Sequence, residues 1–324
     1  MSQLQKIKEI TDKLEQGIVD LFQSDNYKAY LKTMSKFTSY SSNNTLLIAM
    51  QKPDATTVAG FSTWQKMDRH IIKGSKAIKI LAPCPYRKKV ETVVTDADGQ
   101  TVTGRDGKPI KEQTEKVLMG FKIVNVFDYS QTEGEPLPEI THKLDGTAEG
   151  YKDFMDALQK ASPVPIKFEH IQGPANGYYH LIDKNIVIDS DMSEIMHCKT
   201  GIHELAHVLL HDRDNGLQKD AMPDRETKEI QAESVAYTVC QYYGIDTSGY
   251  SFGYVAGWSS GRNLKELKSS LDVIRQTAGT IITGIDCKLD DIKQSRQMDI
   301  YTDVQKDMDV LAHNKPLHCR SYKH

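Results

Sequence analysis

The stretch from Thr200 to His211 reads Thr-Gly-Ile-His-Glu-Leu-Ala-His-Val-Leu-Leu-His, and it limits what the chain around it can be more than any other segment. Its apolar residues Ile202, Leu205, Ala206, Leu209 and Leu210 recur at helical spacing, so it is expected to form a buried helix. At about 3.6 residues per turn, His203 and His207 lie one above the other and can offer imidazole nitrogens to a single tetrahedral ion. Glu204 is turned about 100° from His203, close enough to the ion's open side to take a proton from a water that the ion acidifies. His-Glu-x-x-His in this setting is the chemistry of a metallohydrolase, with zinc as the expected ion. The same five-residue pattern also arises on ordinary amphipathic helices that merely border a core, so the reading depends on a third ligand.

A third ligand is expected downstream. After a polar loop from Asp212 to Pro223, a second helix is predicted over Arg225 to Tyr243, carrying Glu226, Glu229 and Glu233 with Ala232, Val235, Ala236 and Val239 as its apolar side. Glu229 and Glu233 are four apart and share a face. Glu229 is assigned as the third ligand and Glu233 as the carboxylate that fixes a ligand histidine's tautomer through its other ring nitrogen. The reverse assignment stays open at this point. Tyr250, Tyr254 and His180 are candidates for a group near the cleft that stabilises a transition state.

The 324 residues exceed what one core usually holds, so two domains are expected. No apolar run is long enough for a membrane span, and the N-terminus lacks the apolar centre of a signal peptide, so a cytoplasmic protein without a membrane partner is expected. Cys84, Cys198, Cys240, Cys287 and Cys319 are scattered and odd in number, which suits free thiols and gives no second zinc site. The pattern predicts helices over residues 4–21, 27–34 and the 40s, and a short helix from Phe61 to His70. Strands are expected after Gly74, between Tyr86 and Val94 and over Val117 to Phe127, with turns at 96–99 and 104–107. A Pro-, Glu-, Thr- and Gly-rich stretch marks a boundary, giving a first domain over 1–130, a linker over 131–147, a second domain over 148–285 and a polar, partly helical tail over 286–324. Within the second domain a helix at 151–161, a strand at 165–170, a hairpin at 177–189 and a long amphipathic helix at 262–285 are predicted.

Between Tyr27 and Val90 stand twelve Lys and Arg against Asp54 and Asp68, although the whole chain has a formal charge of −3. A basic footprint of this kind suits a module that neutralises phosphates. Among the cations are Tyr27, Tyr30, Phe37, Tyr40, Phe61, Trp64 and Tyr86, rings on which unpaired bases could stack, so single strands are favoured over duplex. Solvated lysine faces and a Phe61–Trp64 core anchor are the plainer alternative.

Three stretches in this region, Ser41-Ser-Asn-Asn-Thr-Leu-Leu47, Val58-Ala-Gly-Phe-Ser-Thr-Trp64 and Arg69 through Pro83, resemble the N-terminal single-stranded-DNA-binding domain of ArdC-type antirestriction proteins of mobile elements. Ile202 to Tyr237 is similar to the zinc-metallopeptidase domain that follows it in that family, and to IrrE-like and SprT-like peptidases. The resemblance implies an α+β protein with an N-terminal nucleic-acid-binding domain and a C-terminal zincin-like metallopeptidase domain. It implies His203 and His207 as ligands, Glu204 as base, and Glu229 and Glu233 as the acidic pair. It points to Asn43, Asn44, Trp64, Lys73 and Lys76 as matching positions in the first domain, with Arg69 heading the third stretch as a further nucleic-acid contact. The expected function is antirestriction or conjugative DNA transfer by a protein that binds single-stranded DNA, carries a metallopeptidase-like domain, and either shields the DNA from restriction enzymes or cleaves a DNA-bound protein. The rivals are a DNA coat with a structural metal site and a peptidase with no nucleic-acid role.

Overall fold

The computed structural model describes residues 3–22, 25–95, 98, 100–104, 107–137, 144, 146–212 and 222–313. The chain divides into two compact units, one made of residues 1–22 and 40–137, the other of residues 23–39 and 138–324. In chain order the elements up to the division are α1 (Gln3–Leu21), α2 (Asp25–Lys36), α3 (Ser42–Gln51), β1 (Val58–Gly60), α4 (Phe61–Lys66), β2 (Arg69–Ile71), β3 (Ile78–Val93), β4 (Lys111–Asp128) and β5 (Thr132–Gly134). They continue as α5 (Ala148–Ala161), β6 (Ile166–Glu169), β7 (Gly177–His180), β8 (Asn185–Asp189), α6 (Glu194–His211), α7 (Arg225–Tyr243), α8 (Val255–Ser259) and α9 (Leu264–His313). The two-domain α+β expectation therefore holds. Among the described residues no helix is long and apolar enough to cross a membrane.

The first unit is built on the antiparallel sheet β1-β4-β3, in which β3 and β4 pair along their whole length from Ile78↔Val126 to Val93↔Lys111. Sequence reading broke β3 in two at Pro83 and Pro85, yet the strand runs through both. The reason lies in which way its backbone groups point. The amides of Asn44 and Gln51, two turns apart on α3, each bond both the N–H and the C=O of one β3 residue: Asn44 those of Leu81 and Gln51 those of Lys79, at 2.9 Å in all four cases. Those groups therefore point away from β4. Pro83 and Pro85 fall on the same alternation, so their missing N–H groups remove no bond of the ladder, and they blunt the free edge. The turns predicted at 96–99 and 104–107 fall in part outside the described residues.

The rest of the first unit closes over one side of this sheet. Ile78, Ile80 and Val126 are buried, as is Trp64, whose indole N–H donates to the Phe127 carbonyl at 2.9 Å. The stretch expected to be a linker instead begins as β5, which pairs with β2. Gly134 has φ +135°, and a Cβ there would strike the backbone of Asp68 and Arg69, so only glycine lets β5 approach so closely.

The second unit holds the mixed sheet β6-β8-β7, with β6 parallel and β7 antiparallel to β8, against a layer of helices. Residues 23–39 also belong to it, although they precede most of the first unit in sequence. Their helix α2 packs on α7: the Tyr27 hydroxyl lies 2.8 Å from Ser234 Oγ, and the Tyr27 ring meets Phe252 edge-on at 5.3 Å. A contiguous first domain over 1–130 thus misses this crossing segment, because amphipathic periodicity says that α2 buries a face but not against what. The long helix α9 continues well past 285, to His313. The apolar repeat ends at 285 because the sequence beyond it turns polar, and Arg296 there bonds Asp153 and Glu149 of α5. Residues 314–324 of the predicted tail lie outside the described residues.

Replacing Tyr27 by Phe removes a hydroxyl whose partner, Ser234, is fully buried. Denaturant unfolding should then show a loss of about 1–2 kcal/mol. An unchanged midpoint would contradict the docking of α2 on α7.

Candidate metal centre

Two helices supply the site, and each is anchored at its start. Ser193 caps α6 by accepting from the Met196 N–H, and Asp224 caps α7 by accepting from the Thr227 N–H at 2.7 Å. Arg262 donates to the other Asp224 oxygen at 2.7 Å, and this guanidinium is the chief reason that the Asp224 carboxyl is held down to about 2. From Ile230 to Cys240 almost every residue of α7 is buried, and Gly244 ends the helix in the left-handed conformation, φ 72°. A helix so enclosed fixes where its glutamates emerge.

They emerge against α6. His203 Nε2 and His207 Nε2 face each other at 3.1 Å, and Glu229 Oε2 stands 3.7 Å from both. Three donors bound tetrahedrally at about 2.0–2.2 Å from one ion are about 3.3–3.5 Å from one another, so the observed triangle has the size that a small divalent cation requires. Glu233 takes the other role: its Oε2 lies 3.4 Å from Nδ1 of His203. A carboxylate there accepts the Nδ1–H and leaves Nε2 with its lone pair.

His207 is oriented by a chain that the sequence reading missed. Its Nδ1 lies 3.0 Å from His211 Nδ1, His211 Nε2 lies 3.1 Å from Gln231 Oε1, and Gln231 Nε2 donates to Ser270 Oγ at 3.0 Å. The Gln231 oxygen can only accept, so His211 carries its proton on Nε2. Burial pushes the His211 pKa down to about 4, so the ring is neutral and its Nδ1 accepts from His207. His207 Nε2 is thereby left free to coordinate. The signal was present in the four-residue step from His207 to His211, which keeps all three imidazoles on one face of α6.

The carboxylates favour positive charge at this point. Burial lowers the His203 pKa, but hydrogen bonds to Glu229 and Glu233 outweigh it and raise the group to about 9. Glu229 is held far below the ordinary carboxylate range by its hydrogen bonds to His203 and His207. Glu204 moves the opposite way: burial raises it, with the two histidines opposing, and it accepts a hydrogen bond from the Tyr179 backbone N–H. It opens with His203 and Glu233 onto a cleft of about 450 Å³ that is also lined by Gly177, Lys199 and Tyr250. Gly177 is required there, since a Cβ would fall 2.5 Å from Thr200 Cγ2 and prevent β7 from lying against α6. Lys199, one turn before His203 on the same face, went unnoticed in the sequence.

Of the three groups expected near the cleft, Tyr250 lines it and Tyr254 is half-exposed. The Tyr254 pKa is pushed up to about 12, by burial first and then by the Glu233 and Glu229 charges. His180 instead pairs with Asp183 at 3.2 Å and is absent from the lining. Among the described residues a second group, His170, Asp189 and Asp191, has donor atoms as close together. It is exposed, and Asp189 Oδ1 there is already engaged by the N–H groups of Ile171 and Asp191.

The predicted nucleic-acid residues divide sharply. Trp64 is fully buried; Asn44 caps the edge of β3; Arg69 is buried and donates to Thr132 Oγ1 and to the carbonyls of Thr132, Gly134 and Glu135. Their polar groups are occupied by the fold, which corrects their assignment as nucleic-acid contacts. Tyr27, Tyr30 and Phe37 are core residues of the second unit, leaving Phe61 and Tyr86 exposed among the seven rings. Asn43 is half-buried, while Lys73 and Lys76 are exposed, and Lys76 lines a groove of about 1190 Å³ with Lys6, Lys13, Lys52 and Lys79.

Comparison with known proteins divides the chain in the same order. Residues 3–127 match the family described as the N-terminal domain of anti-restriction factor ArdC, and residues 160–240 match the IrrE N-terminal-like domain of the M78 peptidase family. The uncharacterized protein pXO2-81 of Bacillus anthracis is 28% identical over 323 residues, which cover 90% of this chain and 53% of that protein. The chain thus spans about half the length of the curated relative it matches. Among solved structures, the Mn(II)-bound antirestriction protein ArdC from plasmid R388 is 16% identical with a TM-score of 0.50, covering 86% of this chain and 97% of that one. Its metal-free form is 17% identical with a TM-score of 0.47, covering 78% and 86%. At these identities the R388 likeness is one of fold.

Calorimetric titration with Mn²⁺ or Zn²⁺ distinguishes the two glutamates. Glu229→Ala should abolish binding at the histidine pair, whereas Glu233→Gln and His211→Ala should weaken it by about 10–100-fold. Equal losses for Glu229→Ala and Glu233→Gln would contradict the division of roles.

Proposed function

We propose, from the premise that this chain joins an ArdC N-terminal domain to an IrrE N-terminal-like domain, that it is a mobile-element antirestriction protein that binds single-stranded DNA through its first unit and hydrolyses a DNA-bound protein in its second. The observation that carries the hydrolytic reading is the triangle of His203 Nε2, His207 Nε2 and Glu229 Oε2 beside the buried Glu204. These residues would hold a divalent cation, with zinc the expected one from the nitrogen-rich donor set. When bound, such an ion supplies Lewis acidity to a carbonyl oxygen and lowers the pKa of water beside it.

The chain's own residues supply the rest. Glu204, with a carboxyl raised by burial, takes the proton of the attacking water on its carboxylate and returns it to the departing amine nitrogen. Glu233 and the His211–Gln231–Ser270 chain hold the two imidazoles in the tautomers the site requires.

DNA binding is supported by the basic groove and by the exposed Lys73 and Lys76. Phosphate contacts of this kind weaken steeply as salt rises. A strand held by the first unit would raise the local concentration of any protein bound to the same strand.

Glu204→Gln separates an enzyme from a coat. Proteolysis of a casein or peptide-library substrate should fall by about 10²–10⁴-fold with metal binding unchanged, and rescue of conjugative transfer into a restricting recipient should fall with it. Full rescue by this variant would overturn the hydrolytic role and favour a metal site that only supports a DNA-coating protein.

A further inference from the structure

We propose that the first unit carries a track for one nucleic-acid strand, formed by the basic groove beside α1 and α3 and continued along one face of the β3–β4 ribbon by Phe121, Met119 and Val117. The proposal rests on the reading that the protein binds single-stranded DNA, and adds where the strand lies.

The register puts these positions on one side. Lys79 pairs with Asn125, Leu81 with Ile123, Pro83 with Phe121, Pro85 with Met119 and Arg87 with Val117. Cross-strand partners share a face and so do alternate residues, so the whole series points one way. At its inner end Lys79, Ile123 and Asn125 line the groove. Groove and ribbon face are therefore one surface. Farther out Phe121 is 55% exposed, Met119 64% and Val117 67%. Three large apolar side chains so exposed in sequence along one face of a sheet form a patch of the kind that marks a binding surface. From Leu81 to Arg87 the strip runs about 20 Å, at about 3.3 Å per residue.

Charge selects the occupant. On this face the ribbon carries Lys79, Arg87 and Lys89, while Lys88, Lys116 and Lys122 fall at the alternate positions of the other face. On the same face Glu115, across from Lys89, approaches Arg87 at 3.7 Å, and farther out Glu91 pairs with Lys111 at 3.3 Å. In the groove, Lys6, Lys13 and Lys76 are opposed by Glu9, while Asp54 is taken up by Lys52 at 2.8 Å. A single nucleic-acid strand meets both demands, with phosphates for the cations and open base faces for the apolar strip. A duplex keeps its base faces stacked. A second copy of this chain would set cation against cation.

The test measures binding of fluorescein-labelled oligothymidine to the full chain by anisotropy at several salt concentrations. Phe121→Ala/Met119→Ala changes only exposed side chains, and Lys76→Glu/Lys79→Glu reverses charge in the groove. Each should weaken binding at least about tenfold, the second also flattening the salt dependence, while Ile182→Ala on the second unit, at an 85% exposed position, leaves affinity unchanged. Wild-type affinity in both double variants would overturn the track while leaving DNA binding to another surface. Absence of binding by the wild type would overturn the DNA reading itself, and the track with it. A wild-type dimer that Phe121→Ala/Met119→Ala dissociates with DNA affinity intact would overturn the proposal by assigning the strip to a second copy.

Discussion

The second unit depends on a cluster of polar groups, two half-buried imidazoles and a more exposed carboxylate, held at one point between two helices. Two imidazole nitrogens 3.1 Å apart and a carboxylate oxygen 3.7 Å from each occupy the seam between two closely packed helices. Groups of this kind, half-desolvated, are tolerated when every remaining polar atom is bonded. That condition is met on both sides: Glu233 takes the far nitrogen of His203, and His211 that of His207, with Gln231 and Ser270 completing the line. Because each partner can only accept where it meets the ring ahead of it, the direction of every proton follows, and the coordinating lone pairs are turned toward the same point.

The local sequence carried part of this arrangement, and the line from His207 through His211 and Gln231 to Ser270 was not read from it. Helical periodicity alone put His203 and His207 on one face and predicted α7 with its observed bounds, Arg225–Tyr243. The four-residue spacing put Glu229 and Glu233 on one face and left open which of them meets the ion. The distances from the two histidines support giving the ligand's place to Glu229. Contacts between residues far apart in sequence were not legible. Asn44 and Gln51 could not be recognised as caps on a strand edge that lies more than two dozen residues downstream, nor Trp64 as the anchor of a carbonyl at 127. Composition gives the same score to a tyrosine in the core and one on a ribbon, which is why Tyr27 and Tyr30 looked like stacking platforms while Phe121 and Met119 did not.

The first unit shows how an edge can be managed without burying it. Side-chain amides from α3 satisfy the outward backbone groups of Lys79 and Leu81, and prolines occupy the next two outward positions. Further pairing along that edge is thereby discouraged, while the face of the ribbon keeps its apolar side chains exposed. The edge is protected and the face is left available, a division suited to a surface that binds something other than another strand of protein.

The central claim is that one divalent cation sits between α6 and α7, held by His203, His207 and Glu229. Anomalous diffraction from crystals of the zinc-loaded protein, collected on either side of the zinc absorption edge, tests it most directly. The account predicts a single strong peak at that point, bonded to both Nε2 atoms and to a Glu229 oxygen, with Glu233 still on His203 Nδ1. A peak bonded to Glu233 in place of Glu229, or no peak between the two helices, would contradict it.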